Sequence, residues 1–151
     1  MLNQGMNIKH PKKRGEWAEM RFMSAAAEHG LTVTRPWGDS SRYDFASEYR
    51  GCFHRIQVKT TGSKQYNSYV CNLRTGRGKT YSESEIDFLA AYIIPVDAWY
   101  ILPVDVAINY HSNIILSPHL PDSKHAQYRE AWHLLRQQRR MQGPSHPGLS
   151  I

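Results

Sequence analysis

Two strand-like runs, "YDFASEY" (residues 43–49) and "CFHRIQVKT" (52–60), are separated only by Arg50 and Gly51. Runs that alternate in polarity across a two-residue connection predict a β-hairpin, and so tight a turn sets the pairing of everything beyond it. Counting outward from the turn places Asp44 opposite Gln57. The two-residue period of a strand then puts Asp44, Gln57 and Lys59 on one face, with Ile56 and Val58 on the other. Arginine is not the preferred first residue of a type I′ turn, so a longer loop that slides the register is the competing geometry.

The hairpin sits between helix and strand signals. Upstream, "RGEWAEMRFMSAAAEHG" (14–30) is rich in Ala, Met and Glu and stops at a glycine, as a helix would. At helical spacing Ala18, Met20, Phe22, Met23, Ala25, Ala26 and Ala27 share one apolar arc, with Glu19 near its middle. "LTVTRPW" (31–37) reads as a short strand. Downstream, "SYVCNLR" (68–74) is a strand leading into the basic loop "TGRGKT". "SESEIDFLAAY" (82–92) starts as a helix whose Ser82 and Glu85 have capping-box spacing. "AWYILPV" (98–104) is a buried strand. "DSKHAQYREAWHLLRQQRRM" (122–141) is an amphipathic helix with a Tyr128, Ala131, Trp132, Leu135 stripe, ending in Arg136, Arg139 and Arg140. This order predicts an α/β or α+β domain, a central mixed β-sheet flanked by helices.

At 151 residues the chain is expected to form one domain over 1–142, with a basic N-terminal arm and a flexible tail over 143–151. Lys and Arg outnumber Asp and Glu by 19 to 13, which favours a polyanionic partner, nucleic acid first. The two cysteines, Cys52 and Cys71, are too few for a disulfide framework and fit a reducing compartment. No segment approaches the roughly 20 apolar residues of a membrane span, so a cytoplasmic protein without membrane contact is expected, on the nucleoid when bound to DNA.

The hairpin face carries chemistry that phosphodiester hydrolysis needs: oxygen ligands for a divalent ion, a group to position water, and positive charge near the reacting phosphate. Asp44 can supply the first ligand, with the Gln57 amide oxygen and the Val58 carbonyl adding neutral ones. Lys59 can orient water or offset developing charge. Glu19, on the apolar face of its helix, would complete the cluster, since a carboxylate there needs a partner or a metal. Glu16 is its rival on the flank of the arc.

Glu19, "RYD" ending in Asp44, and "QVK" ending in Lys59 resemble the PD-(D/E)XK nuclease superfamily. "RGEWAEMRF", "RPWGDSSRYDF", "RIQVKTT", "EIDFLAAYI" and "WYILPV" resemble, more narrowly, the group I intron-associated PD-(D/E)XK endonucleases, from about residue 12 to residue 106. The resemblance implies a restriction-endonuclease-like core and a Mg²⁺-dependent DNA endonuclease, with Mn²⁺ able to substitute. It implies Asp44 as the main metal ligand, Glu19 as an outer or second-metal carboxylate, Gln57 as a ligand or water-positioning group, and Lys59 as the activator. Tyr43 stands where the superfamily has proline, and Gln57 where it usually has Asp or Glu; the intron-associated group uses Gln there. One carboxylate fewer weakens metal affinity and leaves phosphate oxygens to complete the coordination.

The expected partner is double-stranded DNA. Arg74, Arg77 and Lys79 of the basic loop, Lys12, Lys13 and Arg14 of the N-terminal stretch, and Arg42 beside the site are the candidate phosphate contacts. Cutting both strands takes two sites, so a homodimer or homotetramer is expected; the homing endonuclease of the resembled group is tetrameric. A homing-endonuclease-like role is the first reading. A Holliday-junction-resolving or restriction-type nuclease of the same fold, and a DNA-binding module with a decayed metal site, are the alternatives.

Overall fold

A computed structural model describes residues 7–138. Helix α1, Pro11–Glu28, begins with a proline at a first-turn position, where the missing N–H costs nothing. It ends in a Schellman motif: Gly30, at φ +78°, donates to Ala27 O, and Leu31 donates to Ala26 O. The basic N-terminal stretch is therefore no separate arm over Pro11–Arg14, which form the first helical turn. The buried stripe of α1 is Ala18, Phe22 and Ala26; Met20 and Ala27 face solvent, so the apolar arc is narrower than its sequence suggests.

Strands β1 (Thr32–Thr34), β2 (Phe45–Tyr49), β3 (Cys52–Thr61), β6 (Phe88–Ile93) and β7 (Ala98–Pro103) form a mixed sheet in the order β1-β2-β3-β6-β7. Only β3 and β6 run parallel. Between them in sequence, β4 (Lys64–Gln65) and β5 (Ser68–Asn72) join β8 (Asn113–Leu116) in a second, three-stranded sheet. The short helix α2, Val104–Ala107, follows β7.

The β2–β3 hairpin has the register that a two-residue turn dictates, with Tyr49 opposite Cys52 and Phe45 opposite Ile56. Arg50 at φ +50° and Gly51 at φ +80° supply the two positive angles of a type I′ turn. The Glu48 carboxylate accepts the Gly51 N–H, and the Arg50 guanidinium lies 5.2 Å from the Tyr49 ring centroid. These contacts offset the cost of a left-handed arginine.

Alternation along the central strands separates two cores. Ile56, Val58, Ala90, Tyr92, Trp99 and Ile101 pack against α1 and Trp132. Leu89, Ala91, Ile93, Tyr100 and Leu102 pack against the second sheet through Tyr69, Cys71, Ile114 and Leu116. The main sheet thus has a helix on one face and a small sheet, with α2, on the other.

Two expected helices are replaced. The Ser82 N–H does donate to the Glu85 carboxylate, but the chain makes one turn there and enters the sheet as β6. All six β6 residues are buried, and a strand covered on both faces loses the alternation that would distinguish it from a helix. Over 122–138 there are only two 3₁₀ segments, Ala126–Tyr128 and Trp132–Arg136. Glu130, at φ +50°, breaks the helix between them. Its main chain donates to Trp99 O, and its carboxylate accepts from Trp99 N and the Trp132 indole. Tertiary hydrogen bonds at the β7 edge outcompete helical ones, and Trp132 and Leu135 go into the core. Arg139, Arg140 and the 143–151 tail lie outside the described residues. Among those residues, no helix is long and apolar enough to cross a membrane.

Candidate active site

The β2–β3 ladder stops at the Phe45–Ile56 pair, and Asp44 lies just before the first residue of β2. Asp44 N still donates to Ile56 O, but the next β3 donor on that side, Val58 N, bonds the Asp44 side chain at 2.8 Å. The N–H and C=O of one strand residue point to the same side, so the Val58 carbonyl also faces the gap before β2 begins. A carboxylate and a main-chain carbonyl, the latter holding a long 3.4 Å bond from the Gln57 Nε2, are placed together by the hairpin register.

Asp44 uses its two oxygens differently. Oδ2 accepts both Val58 N and the Gln57 Nε2 at 2.7 Å. Oδ1 has no hydrogen-bond partner among the described residues, and neither has the Gln57 amide oxygen. Burial raises the proton affinity of the Asp44 carboxyl above its ordinary value, although the Val58 N–H and the charges of Lys59 and Arg35 oppose the shift. The anion is fixed in place and incompletely compensated.

Glu19 approaches from α1. Its side chain is 21% exposed and ion-paired with Arg35, which follows β1. Burial and the nearby Asp44 charge push its carboxyl upward, with Arg35 opposing. Glu16, the rival carboxylate, is exposed. Lys59 lies on the Asp44 face of β3 and donates from Nζ to Arg74 O at 2.6 Å, 5.4 Å from the Tyr81 ring centroid. Burial lowers its pKa, with Cys71 and Asp44 opposing. The Cys71 thiol beneath it is pushed up to about 12 by burial and remains a thiol.

Among the described residues no three His, Cys, Asp or Glu side chains gather into a metal-binding group. The groups around Asp44 are instead its own carboxylate oxygens and the Val58 main-chain carbonyl, with the NH2 end of the Gln57 amide turned toward both and Glu19 as a second carboxylate within electrostatic reach. Such hard oxygens suit Mg²⁺, which takes one or two protein carboxylates and fills its remaining positions with water and phosphate oxygens. Soft metals would want thiolate or imidazole.

The predicted basic residues fall in three places. Lys12, Lys13 and Arg14 lie on the first turn of α1, where cations oppose the helix dipole. Arg42 stands 3.6 Å from the Glu85 carboxylate. Arg77 and Lys79 are exposed on the loop after β5, whereas Arg74 donates to the carbonyls of His111 and Gly78 and holds that loop in shape.

Two site neighbours carry no mark of their role in the sequence. Arg35 compensates both Glu19 and Asp44. Tyr81 is buried beside Lys59, and burial together with the charges of Asp44 and Glu85 keeps its hydroxyl protonated. Neither has a local pattern, because both arrive from loops; the only hint for Arg35 was its place in the "RPWGDSSRYDF" segment.

A family model described as PD-(D/E)XK endonuclease matches residues 9–135. A solved structure of a bacterial homing endonuclease, I-Ssp6803I, is 30% identical to the chain with a TM-score of 0.75, and the match covers 84% of this chain and 93% of that one. No curated protein matches.

Proposed function

Since this chain belongs to the PD-(D/E)XK endonuclease family and is an endodeoxyribonuclease, we propose that it hydrolyses double-stranded DNA in a Mg²⁺-dependent reaction at Asp44, in a homing-endonuclease-like role. The observation that carries this reading is the divided carboxylate of Asp44. One oxygen is anchored by Val58 N and Gln57, and the other has no hydrogen-bond partner among the described residues, beside a Val58 carbonyl that takes a long 3.4 Å bond from the Gln57 amide.

In this reading Asp44, Val58 O, the Gln57 amide oxygen and Glu19 hold the ion, with Mn²⁺ as a substitute. The bound ion supplies Lewis-acid stabilisation of the charge that builds on the phosphoryl oxygens. Lys59, held by the Arg74 carbonyl, directs its ammonium at the reacting phosphate, where it orients water or offsets charge as the P–O bond to the leaving oxygen breaks. Arg35 opposes the upward shift of both the Glu19 and Asp44 carboxyls, favouring their ionised forms. Lys12, Lys13, Arg14, Arg42, Arg77 and Lys79 contact phosphates, each adding a salt-dependent increment to affinity. Residues 1–142 act as one nuclease domain, which works in the cell's DNA compartment as a homodimer or homotetramer, one site for each strand.

Supercoiled plasmid tests this directly. The wild-type protein should nick or linearise it in Mg²⁺, and both EDTA and Asp44→Ala should abolish cutting. DNA binding without cutting of linear, long-asymmetric or branched substrates, in Mg²⁺ or Mn²⁺, would instead make the chain a binding module. Preferred cutting of branched DNA would favour junction resolution, and a gene lying within a group I intron would favour homing.

A further inference from the structure

We infer that Trp37 is a DNA wedge, an indole that stacks on a nucleobase at a partly opened base step beside the scissile phosphate. The inference rests on the nuclease reading of the Asp44 site and goes beyond it.

Of the four tryptophans, Trp99 and Trp132 are buried, Trp17 is half-buried, and Trp37 is 99% exposed. An indole left wholly in water forgoes the large apolar burial that the residue offers, and no described residue packs over it. Its position is what gives it meaning. The β1–β2 connection, residues 35–44, starts and ends in the site. At one end Arg35 pairs with Glu19 and lies 5.4 Å from the Phe45 ring centroid. At the other are Arg42 and Asp44.

Two Cα steps separate Trp37 from Arg35, a reach of about 7 Å at most. A DNA strand delivered to Asp44 would pass this loop, beside Arg42, a partly exposed cation whose contact with Glu85 is a long 3.6 Å. Pro36 fixes the chain before the indole, and Gly38 at φ +76° turns it back behind, so the ring stands at the tip of a bend. Inserting an apolar side chain at a base step is a known way to bend a duplex, and easily unstacked pyrimidine–purine steps should be the preferred neighbours of the cut.

The test uses the full chain with short mixed-sequence DNA duplexes, in Ca²⁺ without Mg²⁺. Tryptophan emission is measured against acrylamide, alongside binding titrations of wild type, Trp37→Ala and Trp37→Phe. Acrylamide should quench free wild-type protein strongly and the DNA complex weakly. Trp37→Ala should lack the DNA-protected component and bind roughly 5- to 150-fold more weakly, the range for losing one base–aromatic stack. Trp37→Phe should recover most of the affinity. An indole that stays open to acrylamide in the complex, with Trp37→Ala binding as wild type, overturns the wedge while leaving plasmid cutting intact. Protection that rises with protein concentration in the absence of DNA also overturns it, in favour of a second copy. A wild-type protein that neither binds nor cuts DNA overturns both this inference and the nuclease reading.

Discussion

Asp44 and Asp97 are both held by hydrogen bonds, yet folding shifts them in opposite directions. Asp97, at the β6–β7 turn, accepts the Tyr92 hydroxyl and the Arg21 guanidinium, and those bonds lower its pKa against the effect of burial. Asp44 accepts two N–H groups, yet burial outweighs them and its pKa rises, and Asp44 in turn raises that of Glu19. The Asp97 corner has its compensating cation in direct contact. The Asp44 site has two carboxylates near each other, a salt bridge to only one, and unused oxygens. Surroundings that stabilise a fold satisfy their charges internally; a site that leaves charge uncompensated favours a cation from outside, at some expense in stability.

The comparison is broken most sharply at Asp44 itself. Asp44→Asn keeps the shape and can accept the same two hydrogen bonds, both of which reach one oxygen. It should lower the single-turnover cleavage rate by about 10³-fold, the upper end for one preorganised charge-stabilising group.

Arg55 tests the opposite principle, full internal satisfaction. Its guanidinium bonds both oxygens of Asp87, whose side chain is 10% exposed, and the Ser84 and Glu83 carbonyls, pinning the turn that precedes β6. Arg55→Ala removes the guanidinium bonds to Asp87, Ser84 and Glu83 and should cost about 2 kcal/mol in denaturant unfolding, with no direct loss of chemistry in the fraction that stays folded.

Glu19→Gln should act more weakly than Asp44→Asn, because Glu19 is shared with Arg35. Titration of cleavage against Mg²⁺ should show about tenfold weaker apparent metal affinity with most of the saturated rate retained.

The smallest effect belongs to the solvent-accessible corner. With its folded pKa below the unfolded value, Asp97 contributes stability above about pH 4, and this is lost as the pH falls through the folded value. Asp97→Asn should flatten that acid limb of a stability–pH curve by losing a little stability at neutral pH and none below the folded value, and the loss should be small because the side chain is 67% exposed and its ion pair is screened.

What could be read from the sequence follows the range of the forces involved. The register that runs from Tyr49–Cys52 to Phe45–Ile56 depends on a two-residue turn and a two-residue period, both local; it holds in the structure, and just past its end the Gln57 amide bonds the Asp44 carboxylate. The end of α1 depends on Gly30, also local. Strand β6 was hidden because burial on both faces erases periodicity, and the apparent 122–141 helix fails because Glu130 takes its hydrogen bonds from Trp99, 31 residues away. Around the site, the hairpin residues were legible, whereas Arg35 and Tyr81 acquire their place only when loops from other elements close over Asp44 and Lys59.

The most direct measurement is thermal unfolding of wild type and Asp44→Asn, first in EDTA and then with Mg²⁺. A carboxyl whose pKa rises on folding penalises the native state fully above that raised value, and the penalty fades as the pH falls through it toward the unfolded one, below which it is gone. In EDTA at neutral pH, Asp44→Asn should therefore melt at the same temperature as wild type or higher, and added Mg²⁺ should raise the wild-type Tm alone. An Asp44→Asn protein that melts lower in EDTA, or gains as much from Mg²⁺ as wild type does, would contradict the claim that Asp44 is held for a metal ion and not for the fold.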